Sequence, residues 1–155
     1  MSNKSLLFYC LSNSLRSNFG FNAQMAATRG IKMKLDDLLS NYRDMAMFEG
    51  HKVVAPESHG MDGDTPLHII ALDGDVDMLE KILPFVSEID VAGDCGNTPL
   101  HYAINWGHPK IVKILIENGA DPFRENDYGD TPFLAMHGKA VFEHIYNDII
   151  DSQRK

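Results

Sequence analysis

The chain has 155 residues, of which 44% are hydrophobic and 23% charged, and its net charge is −8. This composition fits one soluble globular domain and excludes a chain that is disordered throughout. No apolar run approaches the roughly 18 residues that a membrane helix needs. Two cysteines, Cys10 and Cys95, are too few for a disulfide framework. We therefore expect free thiols, a cytoplasmic location and no membrane partner.

The charges divide the chain into two parts. Residues 1–34 carry five basic side chains and no acid, whereas the remainder carries nine basic and 22 acidic side chains, a net charge of −13. An acidic body repels nucleic acid and anionic lipid and attracts basic proteins. The charge distribution therefore predicts a basic protein partner and no nucleic-acid partner.

Residues 1–32 show no sustained apolar periodicity. Serine and asparagine recur through the segment, and the apolar stretch from Leu6 to Leu11 is shorter than a secretory signal needs. The absence of acids also loosely suits an organelle transit peptide. We predict a disordered tail or, alternatively, a non-native extension that precedes a natural start at Met25 or Met33.

Residues 33–59 are predicted to form a capping helix and a connection. One face of this helix carries the apolar side chains Leu35, Leu38, Leu39, Tyr42 and Ala46. The helix should end before Gly50 and cover the open end of the element that follows. Residues 50–60 then form a long connection.

A tetrapeptide recurs downstream at a fixed spacing of 33 residues. Thr65-Pro66-Leu67-His68 returns as Thr98-Pro99-Leu100-His101 and, altered, as Thr131-Pro132-Phe133-Leu134. Threonine can cap a helix start, and proline has the backbone angle of a first helical turn, so each copy should open a helix. A period of 33 headed by Thr-Pro-Leu-His is typical of ankyrin repeats, and the chain resembles that family.

The resemblance implies an all-α solenoid of helix-turn-helix repeats with β-hairpin-like fingers. The repeats would occupy residues 60–92, 93–125 and 126–155. Gly74 and Gly107 should end the first helices, and Asp75 should cap a second helix that stops near Leu83. In the last repeat Leu134 replaces the histidine and Gly138 is expected to supply the break. One face of the closing helix carries Val141, Phe142, Ile145, Tyr146, Ile149 and Ile150, which predicts a C-terminal cap.

The sequence contains no recognisable catalytic or metal-binding pattern. His68 and His101 occupy matched repeat positions, which indicates structural histidines bonded to the finger backbone. Asp73, Asp75 and Asp77 imitate the start of a calcium loop, but a methionine stands at the obligatory glycine position. We predict no enzymatic activity, no cofactor and no metal.

Ankyrin-like proteins bind other proteins with the finger tips and first helices, which form a concave surface. The residues that this resemblance assigns to partner binding are Asp64, Leu72, Asp73, Asp94, Asn97, Asn105, Trp106, Asp127, Tyr128 and Asp130. Beside them lie Met61, Asp62, Cys95, Glu125 and His137. The surface is acidic with aromatic side chains near its centre, although Trp106 could instead pack on a finger and each aspartate could simply solvate a turn.

The sequence thus predicts a non-catalytic protein-interaction module that is monomeric when free. It would bind a basic partner through its acidic concave surface. A sharper form of this hypothesis is a small inhibitor or immunity protein, resembling short stand-alone bacterial ankyrin-like proteins. The alternative is a scaffold or chaperone-like accessory subunit of a larger enzyme.

Overall fold

The computed structural model describes residues 35–154, and within this range it contains seven α-helices, short 3-10 turns and no strand. The α-helices are α1 Leu35–Arg43, α2 Pro66–Asp73, α3 Val76–Ile82, α4 Pro99–Asn105, α5 Pro109–Glu117, α6 Pro132–Met136 and α7 Glu143–Gln153. The 3-10 turns are Ala46–Phe48, Leu83–Phe85, Asp94–Gly96 and Ala140–Phe142. The predicted tail at residues 1–32 lies outside the described residues.

The helices form two rows around one core. The first helices of the repeats, α2, α4 and α6, contact one another in order, and α1, α3 and α5 do the same in the second row. Fully buried apolar side chains such as Leu67 and Leu100 fill the space between the rows. The closing helix α7 pairs with α6 and adds Ile149 to the same core.

The local signals for the first helices are confirmed. Thr65, Thr98 and Thr131 have extended backbone angles, and each is followed by the proline that begins the helix. Gly74 ends α2 with φ +71°, a left-handed conformation that glycine adopts without steric cost. The Asp75 carboxylate accepts a hydrogen bond from the Met78 amide at 2.9 Å and so caps α3.

Two histidine rings connect successive repeats. The Thr65 amide donates to His68 Nδ1 at 3.2 Å, so the neutral ring carries its proton on Nε2, which donates to the Asn97 carbonyl at 2.9 Å. His101 repeats the arrangement with the Thr98 amide at 3.0 Å and the Asp130 carbonyl at 3.2 Å. Both rings are buried. The predicted structural role of the two histidines is therefore what the structure shows.

Both capping helices differ in detail from the sequence pattern. The helix α1 ends at Arg43, so Ala46 lies outside it and is exposed. The Nε atom of Arg43 donates a hydrogen bond to the Val53 carbonyl at 2.9 Å. Phe48, in the turn that follows, fills the core instead. At the other end Val141 is 54% exposed because α7 begins only at Glu143.

Replacing Leu100 with alanine should test the repeat core. Leu100 is completely buried, so Leu100→Ala should lower the free energy of unfolding by roughly 2–5 kcal/mol, measured by urea denaturation. The control Leu134→Ala removes an exposed leucine and should change it by less than about 0.5 kcal/mol. Equal losses in the two variants would contradict this assignment of the core.

The histidine bridges should make stability depend on pH. Burial lowers the pKa of His68 and His101 below the usual 6.5, although their carbonyl contacts oppose the shift. As the pH falls below about 6.5, the unfolded chain therefore binds more protons than the folded chain. The free energy of unfolding should be largest above this pH and should decrease as the pH is lowered. Urea midpoints at pH 7.5 and 5.5 measure the loss.

A pair of histidine variants identifies the groups responsible. His101→Gln should be less stable at pH 7.5, because it loses the bridge, and should show a weaker dependence on pH. His144→Gln replaces an exposed histidine and should keep the wild-type dependence. An unchanged dependence in His101→Gln would contradict the explanation.

Candidate protein-binding surface

Each repeat begins with a finger that closes in the same tight turn. In each turn the amide of the first residue donates a hydrogen bond to the backbone carbonyl of the residue four positions later. The amide of the glycine three positions later donates a hydrogen bond to the carbonyl of the first residue. These bonds join Gly60 to Asp64 and Gly63, Gly93 to Asn97 and Gly96, and Asn126 to Asp130 and Gly129. The glycines at the turn ends have φ of +88°, +71° and +79°. The finger tips are therefore residues 61–62, 94–95 and 127–128.

The finger tips and the exposed sides of α2, α4 and α6 form one surface, which we call the finger face. Trp106, immediately after α4, is 62% exposed and Tyr128, on a finger tip, is 74% exposed. The other predicted contact residues that are exposed are Asp73, Asp94, Asn105, Asp127 and Asp130, whereas Leu72 and Asn97 are half-buried. Nine of the ten predicted residues are thus at least partly accessible.

Asp64 departs from the expectation because it is only 8% exposed. One carboxylate oxygen accepts from the Tyr102 hydroxyl at 2.6 Å, and the other accepts from the Asp94 amide at 3.0 Å. Burial, and then this hydrogen bond, raise the pKa of Tyr102. Asp64 therefore fastens the first repeat to the second, and its carboxylate is already occupied within the chain.

The junction between the second and third repeats has a different content at the same positions. Asn97 and Ala135 stand there in place of Asp64 and Tyr102, each 33 residues further along. A cavity of about 260 Å³ opens at this junction, and it is lined by Asn97, His101, Asn105, Asn126, Asp130, Leu134 and Ala135. Comparing residues at a spacing of 33 shows these two replacements in the sequence, whereas the Tyr102–Asp64 bond and the cavity are visible only in the structure.

A comparison with protein families agrees with this architecture. Residues 3–126 match the family model of ankyrin repeats in three copies. The chain belongs to the ankyrin repeat family. Ankyrin repeats are protein-interaction modules. The helix pair of the closing ankyrin repeat lies beyond the matched residues but has the same two-helix arrangement.

The chain is similar to parts of several proteins with different names. The chain is 28% identical over 115 residues to mouse protein phosphatase 1 regulatory subunit 27, which covers 70% of this chain and 75% of that protein. It is 32% identical over 88 residues to an ankyrin repeat-containing protein of Schizosaccharomyces pombe, covering 56% and 42%. It is also 38% identical over 69 residues to an ADP-ribosylation factor GTPase-activating protein of Arabidopsis thaliana, covering 44% and 9%. The chain spans less than half of the latter two proteins.

Two further observations concern the part of the chain from residue 35 to residue 154. No three side chains among its histidines, cysteines, aspartates and glutamates come together in a group that could hold a metal ion. None of its helices is long and apolar enough to cross a membrane.

Removing the Tyr102 hydroxyl should weaken the first junction of the ankyrin array. Tyr102→Phe leaves the buried Asp64 carboxylate without one of its two donors, so we expect a loss of about 1–3 kcal/mol in the free energy of unfolding. The matched control Tyr128→Phe removes an exposed hydroxyl and should change it by less than about 0.5 kcal/mol. Urea denaturation of both variants measures the difference, and equal stability would show that the Tyr102–Asp64 bond contributes little.

Proposed function

We propose that the chain binds a protein with a basic surface through the finger face and catalyses no reaction itself. One observation carries this proposal: two large aromatic side chains, Trp106 and Tyr128, are exposed on a surface whose finger tips are acidic. Aromatic side chains of this size are frequent anchors of protein interfaces. Both rings are mostly exposed, although the Tyr128 hydroxyl contacts Cys95 Sγ at 3.3 Å, and this exposure supports a role in recognition.

The charges on the finger face support a basic partner and an orientation for it. Asp94, Asp127 and Asp130 are exposed at the finger end. At the opposite end of the finger face, near Trp106, the Lys139 ammonium donates a hydrogen bond to the Ile104 carbonyl at 3.3 Å. Lysine and arginine side chains of the partner should therefore meet the finger tips, and apolar side chains should meet Trp106. Such complementary charge speeds association and sets orientation.

The sharper form of the proposal is a stoichiometric inhibitor or immunity protein that covers a basic enzyme or toxin. The regulatory-subunit name of a mouse relative favours a second candidate, a scaffold or accessory subunit of a larger enzyme. We further propose a cytoplasmic location, supported by the free Cys95 thiol, and a monomeric free state, supported by the mutual repulsion of acidic chains. Adding increasing amounts of the chain to an activity assay of the partner separates the two candidates. An inhibitor should lower the partner's activity in proportion to the complex formed, whereas a scaffold or accessory subunit should not.

Site-specific photocrosslinking can test which face binds and what it binds. A benzophenone amino acid at position 106 should capture a protein with a basic surface, and capture should fall as salt is raised through the screening range. The same amino acid at Lys113, exposed on the second-row helix α5, should not capture that protein. An acidic captured protein, or capture from position 113 alone, would contradict the proposal.

The contribution of Trp106 can then be measured with the captured partner. Trp106→Ala should weaken the complex by roughly 2 kcal/mol or more, because a buried aromatic anchor would be lost. The melting temperature of the free Trp106→Ala variant should stay close to that of the wild type, since the ring is mostly exposed. Val54→Ala, which shortens an exposed apolar side chain in the connection after α1, is the control and should leave affinity unchanged. Unfolding of Trp106→Ala would instead indicate a packing role.

A further inference from the structure

The cavity between the second and third repeats lies at the position that a tyrosine ring occupies in the first junction. We propose that it receives the phenol ring of a tyrosine from the partner protein, an inference that rests on the proposed function and makes it more specific. The first junction of the same array, where a tyrosine ring already occupies the equivalent position, supplies the geometric template.

In the first junction the ring of Tyr102 fills the space between two repeats. It meets His68 edge to face, with ring centroids 5.2 Å apart and an angle of 69° between the planes. Its hydroxyl donates to the Asp64 carboxylate at 2.6 Å. Two contacts thus define how this position of the array holds a phenol: a neutral imidazole beside the ring and an oxygen acceptor beyond it.

In the second junction the imidazole and the acceptor remain, but the phenol is missing. His101 is held in the same way as His68, by its own threonine amide and by the carbonyl of the next finger. Asn97 occupies the acceptor position of Asp64. Ala135 stands where the tyrosine would be, and the cavity of about 260 Å³ lies at this place. This volume is below the roughly 300–1,000 Å³ of sites for drug-sized ligands and suits a single side chain.

The acceptor in the second junction has a fixed orientation. Asn97 Nδ2 donates to the Asp94 carbonyl at 3.0 Å, and Asn97 Oδ1 accepts from Asn126 Nδ2 at 2.9 Å. These two bonds identify the oxygen, which keeps a second lone pair. A phenol hydroxyl in the cavity can therefore donate to Asn97 Oδ1 as Tyr102 does to Asp64.

The rim of the cavity lets a side chain enter from solvent and adds apolar contact. Leu134, which stands at the position of the bridging histidine in the two preceding repeats, lines the cavity and is 60% exposed. Asn105 and Asp130 are also exposed at the cavity. An arginine would find one carboxylate, that of Asp130, whereas a phenol finds the His101 ring, the apolar side chains of Leu134 and Ala135 and the Asn97 acceptor. The lining therefore favours tyrosine.

The site can be tested on the full-length, ¹⁵N-labelled protein with small probes. N-acetyl-tyrosinamide should shift the backbone amides of Asn97, Asn105 and Ala135, with a dissociation constant in the millimolar range. N-acetyl-phenylalaninamide should bind about fivefold more weakly, because it lacks the hydrogen bond to Asn97. N-acetyl-argininamide should not shift these amides.

Filling the cavity from within should remove the site. Ala135→Tyr places the side chain of the first junction into the second, so it should abolish probe binding and raise the melting temperature by roughly 2–8 °C. Ala135→Leu fills the space with a smaller group and should also block the probe. This second variant keeps the test decisive if Ala135→Tyr folds poorly. Ala140→Tyr adds the same ring at an exposed position outside the cavity and should change neither property.

The outcomes separate this inference from the function on which it rests. Unchanged binding of N-acetyl-tyrosinamide to Ala135→Leu, shifts confined to other surfaces, or preferential binding of the arginine probe would each overturn the tyrosine site. If capture of a basic protein at position 106 persists in that case, only the cavity assignment fails. If the tyrosine probe binds as expected but no basic protein is captured, the proposed function fails and the phenol site stands.

Discussion

The structure depends on a hydrogen bond that each complete repeat donates to its successor. The ring of His68 accepts the amide of Thr65 at one nitrogen, and this contact forces the other nitrogen to be a donor. That donor reaches the carbonyl just before the next Thr-Pro pair. One side chain therefore sets the start of its own helix and the distance to the following finger. The alignment of the finger tips, and with it the finger face, follows from this spacing.

The backbone repeats while the contents of its junctions do not. At the first junction Tyr102 and Asp64 close the space with a ring and a short hydrogen bond. At the second junction Ala135 leaves the space open, and an asparagine pair replaces the charged acceptor. Because the scaffold tolerates both, one junction can contribute mainly to stability and the other can present a cavity. A repeat protein can in this way change what it recognises without changing its fold.

Much of the fold could be predicted because its signals are local. The Thr-Pro helix starts, the left-handed Gly74 and the cap at Asp75 each depend on a few neighbouring residues. The errors concern contacts between distant parts of the chain. Asp64 resembled any solvated turn residue until Tyr102, on the next repeat, was placed beside it. Similarly, Ala46 lies outside α1, which ends at Arg43, a residue whose side chain bonds to a carbonyl ten residues away. Neither local sequence signals nor contacts within the chain identify the partner, so the binding role proposed for Trp106 rests on its exposure.

The substitution of Leu134 for the bridging histidine also governs how this array could lengthen. The segment 93–125 offers a finger carbonyl to the repeat before it and a histidine donor to the repeat after it, so a duplicated copy could be inserted beside the original with every bridge intact. The closing segment offers the carbonyl of Asp130 but, at Leu134, no donor. A repeat appended behind it would lack this bridge. Internal duplication therefore preserves the histidine bridges, whereas terminal extension does not.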